Sequence, residues 1–467
     1  MRYWKCFLCL LAGALALTAC NNGDDITDDS ELTESERINK FIVYCVSDYY
    51  LWESETDWNY YKKDEVYRSY SDHDKLFGEF VYADDRWSAL TDDIDALQQQ
   101  FDGVETTYGY ELIGGKFQNS GNIFVIILYV YRGSPAEKAG LKRGDIIVGM
   151  NGAPITESNY MELYYSSSIS LTLGHLNEMT ITEDKATVYR MTAVEMYENP
   201  VNKDTVIVAG GKRVGYLCLT SFQTESEGDL KRIFADFKSK GVTDVVLDLR
   251  YNGGGYARTA QVLSSILAPS SVVRNKDVYV KQKWNDALTT YWGNRGVDLS
   301  ERFIDTLSVN MNLNRLYVLT TDNTASASEA TIIGLKPYMD VVLVGGTTHG
   351  KYCGGYLLSP EDYYDNKAYY SDFSNWGMYL MVYRYMNKNN YPDFTHGMEP
   401  TIFAEENYFD MKPFGDTTDP LLATAMEMIT GVRTLSARSA TATPECRMIH
   451  LPHLKIPERL IYTGPMP

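Results

Sequence analysis

A serine and a lysine 25 residues apart are the side chains best suited to chemistry in this 467-residue sequence. Ser326 lies in the segment NTASASE at 323–329, and Lys351 ends the segment THGK at 348–351. A hydroxyl becomes a nucleophile when a nearby base takes its proton. A lysine with an ordinary pKa of about 10.4 is a poor base, but desolvation disfavours the ammonium form and leaves an amine that accepts a proton. The pair therefore predicts a hydrolase that activates serine without histidine.

These side chains also have structural interpretations. Ser326 or Ser328 could cap a helix, with Glu329 completing the capping arrangement, and lysines are usually solvated. His349 is a minor alternative base, although a lone loop histidine is more often a surface residue. The catalytic interpretation therefore depends on the elements that bring these residues together.

Alternating strands and helices surround both residues and would position them. Apolar runs predict strands at 245–249, 316–320 and 341–344, and helical patterns cover 229–239, 260–267 and 326–335. This alternation indicates a mostly parallel sheet, with functional loops at the carboxyl ends of its strands. Ser326, Lys351 and the glycines after Arg250 all follow such strands.

A second, smaller domain is indicated by the segment GSPAEKAGLKRGDIIVGMNG at 133–152. Ser134 and the proline after it open a short helix, Gly140 ends that helix, and an apolar strand leads to a turn. The pattern resembles a PDZ domain of the bacterial protease type, which binds a polypeptide C-terminus as an added strand beside a carboxylate-binding loop. The residues predicted to form that loop are Tyr108, Gly109, Tyr110, Glu111 and Leu112.

Three motifs occur in order: VVLDLRYNGGG at 245–255, ASASE at 325–329, and GK at 350–351. Together they resemble the C-terminal processing peptidases, family S41 of the serine proteases. The resemblance implies a Ser/Lys dyad formed by Ser326 and Lys351. The backbone N–H of Ala327 is expected to form the oxyanion hole together with that of Gly254, which is preferred, or of its neighbour Gly253.

Other positions in these motifs have supporting roles or depart from the family pattern. Glu329 is a possible supporting residue, and the charges of Asp248 and Arg250 are expected to be structural, beneath the glycine loop. Many S41 members have a glutamine four residues after the lysine, which orients it, whereas this sequence has Gly355. Another group must then orient Lys351, and we expect Gly355→Gln to leave activity unchanged or improved.

The first residues resemble the export signal of a bacterial lipoprotein. An apolar run follows two basic residues and ends in LTAC at 17–20, which resembles a lipobox. Residues 1–19 are predicted to be a signal peptide, Cys20 the lipid-attachment site and 20–34 an acidic tether. A plain signal peptide is the alternative. The expected location is the cell envelope, either facing the periplasm or exposed on the outer membrane.

The predicted fold is a multidomain α/β protein. A helical domain rich in aromatic residues occupies 35–102, a PDZ domain 103–198, and a core with a mixed, mostly parallel sheet 199–433. A mobile tail is predicted over 434–467. The formal charge of −19 opposes binding to nucleic acid, and the scattered cysteines lack the spacing of a metal site. We therefore predict no metal and no cofactor.

The predicted function is a serine endopeptidase, held at a membrane by a lipid anchor, that hydrolyses envelope or extracellular polypeptides recognised through their C-termini. One alternative is an inactive PDZ lipoprotein that binds peptides or partner proteins as a scaffold. Another is a core that binds a small apolar ligand. Retention of both Ser326 and Lys351 argues against these alternatives, because a decayed site would be expected to lose one of them.

Overall fold

The structure is a computed structural model that describes residues 32–118, 121–177, 180–184, 186–390, 394–432, 446–449 and 459–461. The predicted signal peptide, Cys20 and most of the tether lie outside the described residues. Within these ranges, no helix combines the length and the apolarity needed to cross a bilayer.

The N-terminal region is mostly helical and packs on the core. The Thr33 hydroxyl caps the first helix, and the Glu36 carboxylate accepts the Thr33 N–H in return. The apolar side chains of the first helix are buried and belong to the same hydrophobic cluster as the core: Ile38, Phe41, Ile42, Cys45 and Val46. The elements are α1 (Glu34–Tyr49), α2 (Trp58–Tyr61), α3 (Asp64–Tyr67), α4 (His73–Gly78), β1 (Ala89–Thr91) and α5 (Ile94–Phe101).

The predicted PDZ domain follows, and its local signals are confirmed. Ser134 caps the short helix and Gly140 ends it in the left-handed conformation, at φ 91°. The elements are β2 (Val104–Thr107), β3 (Tyr110–Phe117), β4 (Ile123–Val130), α6 (Pro135–Ala139), β5 (Ile146–Met150), β6 (Ala153–Pro154), α7 (Glu162–Tyr165), β7 (Ser168–Asn177), β8 (Thr180–Glu183), β9 (Tyr189–Thr192) and β10 (Val194–Tyr197).

The core alternates strands and helices, as predicted. Its elements are β11 (Val201–Ala209), β12 (Lys212–Leu219), α8 (Glu227–Ser239), β13 (Asp244–Asp248), β14 (Gly254–Tyr256), α9 (Ala257–Leu267), α10 (Ser270–Arg274), β15 (Val278–Trp284), α11 (Asp286–Asn294), β16 (Ser300–Arg302), β17 (Arg315–Thr320), α12 (Ala327–Leu335), β18 (Asp340–Gly345), β19 (Cys353–Leu358), α13 (Pro360–Tyr363), α14 (Lys367–Tyr370), β20 (Gly377–Met386), β21 (Ile402–Phe403) and α15 (Pro420–Thr430). Two more strands, β22 (Cys446–Ile449) and β23 (Arg459–Ile461), come from the segment that was predicted to be a mobile tail.

Two sheets organise the core. The first has the order β11-β12-β13-β17-β18-β21 and is parallel from β12 onward. The second has the order β14-β23-β19-β20-β15-β16, with β1 on β20. The carboxyl ends of β13, β17 and β18 lead to the glycine loop, Ser326 and Lys351, so the first sheet brings the three predicted motifs to one edge.

Candidate active site

Ser326 stands on a strained turn between β17 and α12. Its φ and ψ of 61° and −111° lie outside the conformations that L-residues prefer, and its side chain is fully buried. The Ala325 N–H donates to the Asn252 carbonyl at 3.0 Å, which ties the turn to the glycine loop. Strained strand-to-helix turns present the nucleophile in α/β-hydrolases, and such strain persists only where the surroundings enforce it.

Glu329 joins the Ser326 turn to the Lys351 loop. Its carboxylate accepts the backbone N–H of Ser326 at 2.8 Å and that of Lys351 at 2.9 Å. It also accepts the Gly350 N–H and the Thr348 hydroxyl, both at 2.7 Å. Burial raises the pKa of Glu329 to about 7, against the opposing effect of these four donors. The capping contact considered for Glu329 is therefore present, and the same carboxylate also joins the Ser326 turn to the Lys351 loop.

Lys351 is fully buried among aromatic rings. Its Nζ lies 5.4 Å from the centroid of Trp87 and 5.2 Å from that of Tyr379, and it donates to the Tyr379 hydroxyl at 3.4 Å. The Ser326 Oγ has no hydrogen-bond partner among the described residues, so the two predicted catalytic side chains do not form a hydrogen bond. The structure brings their backbones together through Glu329 and leaves their side chains unbonded to each other.

A tyrosine hydroxyl links the same two loops from β20. Tyr385 donates to the Ser326 carbonyl at 3.0 Å and also contacts the Lys351 carbonyl. Trp87, Tyr379 and Tyr385 were not identified from the sequence. Their only signal was the abundance of aromatic residues, which does not indicate which rings reach the site.

The structure leaves little room for a side chain at position 355. A Cβ added to Gly355 would lie 2.4 Å from the Met381 methyl group, 2.6 Å from the Tyr379 ring and 2.9 Å from the Leu380 carbonyl. The Tyr379 ring therefore occupies space that a side chain on Gly355 would need. This crowding argues against the expectation that Gly355→Gln would leave activity unchanged or improved, which stays a prediction to be tested.

The glycine loop after β13 distinguishes Gly253 from Gly254 as the predicted oxyanion donor beside Ala327. The Gly254 N–H donates to the Asn252 side-chain oxygen at 2.9 Å, so it is already engaged. Within the described residues, no acceptor receives the N–H of Gly253 or of Ala327. This favours Gly253 over Gly254, the reverse of the order preferred from the sequence. Gly255, at φ 134°, approaches the Phe222 backbone so closely that a Cβ there would meet the Phe222 carbonyl at 2.4 Å.

A cleft of about 340 Å³ lies between the PDZ domain and the glycine loop. Gly253 and Gly254 form part of the core side, and Glu111, Tyr129 and Tyr131 form part of the PDZ side. The cleft forms a solvent-accessible path from the PDZ domain to the glycine loop.

The predicted peptide-binding loop is folded into the PDZ domain. Tyr108, Tyr110 and Leu112 are buried in its hydrophobic cluster, and the tyrosine hydroxyls donate to the carbonyls of Ser166 and Leu163. The Gly109 N–H donates to the Thr107 hydroxyl at 2.9 Å. Residues 110–112 belong to β3, and Glu111 lines the cleft.

Asp248 and Arg250 form a buried ionic cluster, as expected for structural residues. Arg250 lies 2.9 Å from Asp248, 2.8 Å from Asp419 and 3.0 Å from Glu406. Glu406 also pairs with Arg143 of the PDZ domain. His349 lies outside this cluster, with its Nδ1 3.3 Å from the Asp322 carbonyl and its ring against Trp87.

Comparison with known proteins identifies the two domains. Residues 213–403 match the model of peptidase family S41, and residues 126–170 match a PDZ domain model. The chain therefore carries a peptidase S41 domain and a PDZ domain.

Its relatives are serine-type processing proteases. The carboxy-terminal processing protease CtpA of Bacillus subtilis is 25% identical over 383 residues, covering 79% of this chain and 71% of the relative. A protein named as a CtpA-like serine protease, from Staphylococcus aureus, is 24% identical over 369 residues, and the match spans 75% of this chain but only 65% of the relative.

Solved structures support the same fold. A candidate S41 protease from Bacteroides fragilis aligns with a TM-score of 0.68 and 28% identity, over 84% of this chain and 97% of that one. The photosystem II D1 C-terminal processing protease aligns with a TM-score of 0.51 and 19% identity, over 89% and 100% of the two chains, and so supports the fold alone.

Proposed function

We propose that this protein is a serine endopeptidase in which Ser326 is the nucleophile and Lys351 the general base. The observation that carries the proposal is the strained, buried turn of Ser326, bonded through one carboxylate to the loop of a buried lysine. A structural serine gains nothing from such strain, whereas a nucleophile gains a fixed orientation.

The reaction follows from these positions. Neutral Lys351 takes the Ser326 proton as Oγ attacks the substrate carbonyl, and then returns it to the leaving amine. The N–H groups of Ala327 and Gly253 are the proposed donors to the negative charge on the carbonyl oxygen. Attack requires Oγ and Nζ to approach each other, because they are not hydrogen-bonded in this structure.

Tyr379 is the proposed orienting group for Lys351, in place of the glutamine of other S41 members. Its hydroxyl lies 3.4 Å from Nζ, and its ring and that of Trp87 surround the ammonium. The two rings also shield Nζ from water.

The substrates are proposed to be polypeptides recognised through their C-termini by the PDZ domain, at a membrane to which Cys20 attaches a lipid. One observation favours the alternative of an inactive scaffold: Ser326 and Lys351 are both fully buried and not bonded to each other. A scaffold would bind peptides and cleave none, which makes the two functions separable by assay.

The test is cleavage of casein by the chain lacking residues 1–20. Wild type should cleave it, with a pH-rate profile that rises as the base becomes neutral, while Ser326→Ala and Lys351→Ala should lose at least about 1000-fold in rate. Ser239→Ala, on the exposed end of α8, is the matched control and should retain full activity. Equal rates of casein cleavage by wild type and Ser326→Ala would contradict the assignment of Ser326 as the nucleophile.

A further inference from the structure

Residues 446–449, in the C-terminal part of the chain, lie on the PDZ domain as a strand. β22 pairs antiparallel with β3, with Cys446 opposite Phe117 and Ile449 opposite Gly114. Ile449 packs against the main PDZ hydrophobic cluster, and Met448 against the cluster that contains Phe124. Strand addition to a sheet edge is a general way to bind an extended peptide.

Residues 459–461 lie beside the candidate active site. β23 runs parallel to β14, with Arg459 opposite Gly254 and Ile461 opposite Tyr256. On its other side it pairs with β19, where Ile461 lies opposite Gly355. Nine residues separate β22 from β23, and nine extended residues span up to roughly 30 Å, enough to connect two domains.

β23 lies between two strands that adjoin the proposed catalytic groups. β14 follows directly on Gly253, the proposed oxyanion donor, and β19 begins two residues after Lys351. β23 fills the space between β14 and β19 and is hydrogen-bonded to both strands. A protease that binds its substrate main chain as a strand would place it between these two elements.

We propose that the C-terminal tail is an intramolecular substrate of this site, an inference that rests on the proposed function. Ser326 Oγ attacks the carbonyl carbon of a peptide bond within or directly beside Arg459–Ile461. The C–N bond breaks, the serine proton passes to the leaving amine, and the released fragment carries a new N-terminus. Water then hydrolyses the ester, which gives a carboxylate at the new C-terminus and restores the serine.

Intact-mass spectrometry of the chain from Asn21 to Pro467 tests this inference. Wild type should lose a C-terminal fragment cut within or beside Arg459–Ile461, at a rate unchanged over a tenfold range of protein concentration, and Ser326→Ala should stay intact. Loss that scales with concentration would show cleavage between molecules and overturn the inference. Loss in Ser326→Ala would do the same.

A casein assay on the same samples separates this inference from the proposed function. Casein cleavage with an intact tail would overturn self-processing alone, whereas an intact tail with uncleaved casein would overturn both.

Two substitutions in β23 provide a matched pair. Leu460→Pro removes a backbone donor from the strand and should slow tail loss about tenfold while casein is still cleaved. Leu460→Met keeps the donor and should match wild type. Equal tail loss in both variants would contradict binding of the tail as a strand.

Discussion

Glu329 shows how a single buried residue sets the geometry of the site. Its carboxylate receives N–H groups from Ser326, Gly350 and Lys351, and thereby fixes two loops that are distant in sequence. The capping motif predicted the first of these contacts, because it spans three residues. The contacts to Gly350 and Lys351 depend on the adjacency of β17 and β18, which no local pattern encodes.

The raised pKa of Glu329 predicts a pH-dependent stability. Because burial raises its folded pKa to about 7, above an ordinary value of about 4.5, this group contributes stability that is complete at low pH and lost as pH rises through 7. Relative to Glu329→Gln, which does not titrate, wild type should lose on the order of 2 kcal/mol of unfolding free energy between pH 5 and pH 8. Urea unfolding at both pH values measures this, and a constant difference would contradict it.

At the scale of elements, the sequence predicted most of the core. Periodicity and caps located α6, α8, β13, β17 and α12 to within a few residues, because these signals are local. The pairing of β19 with β20 was not predicted, because register between strands distant in sequence leaves no local trace. That register places Tyr379 beside Lys351 and Gly355, so the hydroxyl that contacts the Lys351 amine could not be identified from the sequence.

The packing of β19 on β20 predicts that position 355 tolerates only glycine. Gly355→Gln should lower the free energy of unfolding by about 1–3 kcal/mol and reduce casein cleavage, because the new side chain displaces the Tyr379 ring. Gly228→Gln, where an added Cβ meets nothing within 4 Å, is the control and should be nearly neutral. A stable, more active Gly355→Gln would restore the expectation drawn from the family pattern.

At the scale of the whole molecule, a buried ionic cluster joins the PDZ domain to the core. Glu406 contacts Arg143 of the PDZ domain and Arg250 beneath the glycine loop, and Tyr251 donates to the same carboxylate. The sequence indicated that Arg250 is structural but not that Glu406 or Arg143 are its neighbours, because the cluster forms only when both domains are in place.

Removal of Glu406 should therefore destabilise both domains together. Glu406→Ala leaves two buried guanidinium groups short of a partner and should cost on the order of 3 kcal/mol of unfolding free energy. Asp340→Ala removes the exposed ion pair with Arg315 and should cost far less. Denaturant unfolding measures the loss of unfolding free energy in each variant. Equal losses would contradict a stabilising role for the cluster between the two domains.

The nucleophile assignment is tested most directly by locating a covalent label. A fluorophosphonate probe, added to enzyme that is cleaving casein, should attach to Ser326 as activity falls, and peptide mapping should find it there. Lys351→Ala should slow labelling by at least about 100-fold, while His349→Ala should not. Loss of activity with the label on another residue, or with Ser326 unmodified, would contradict the account.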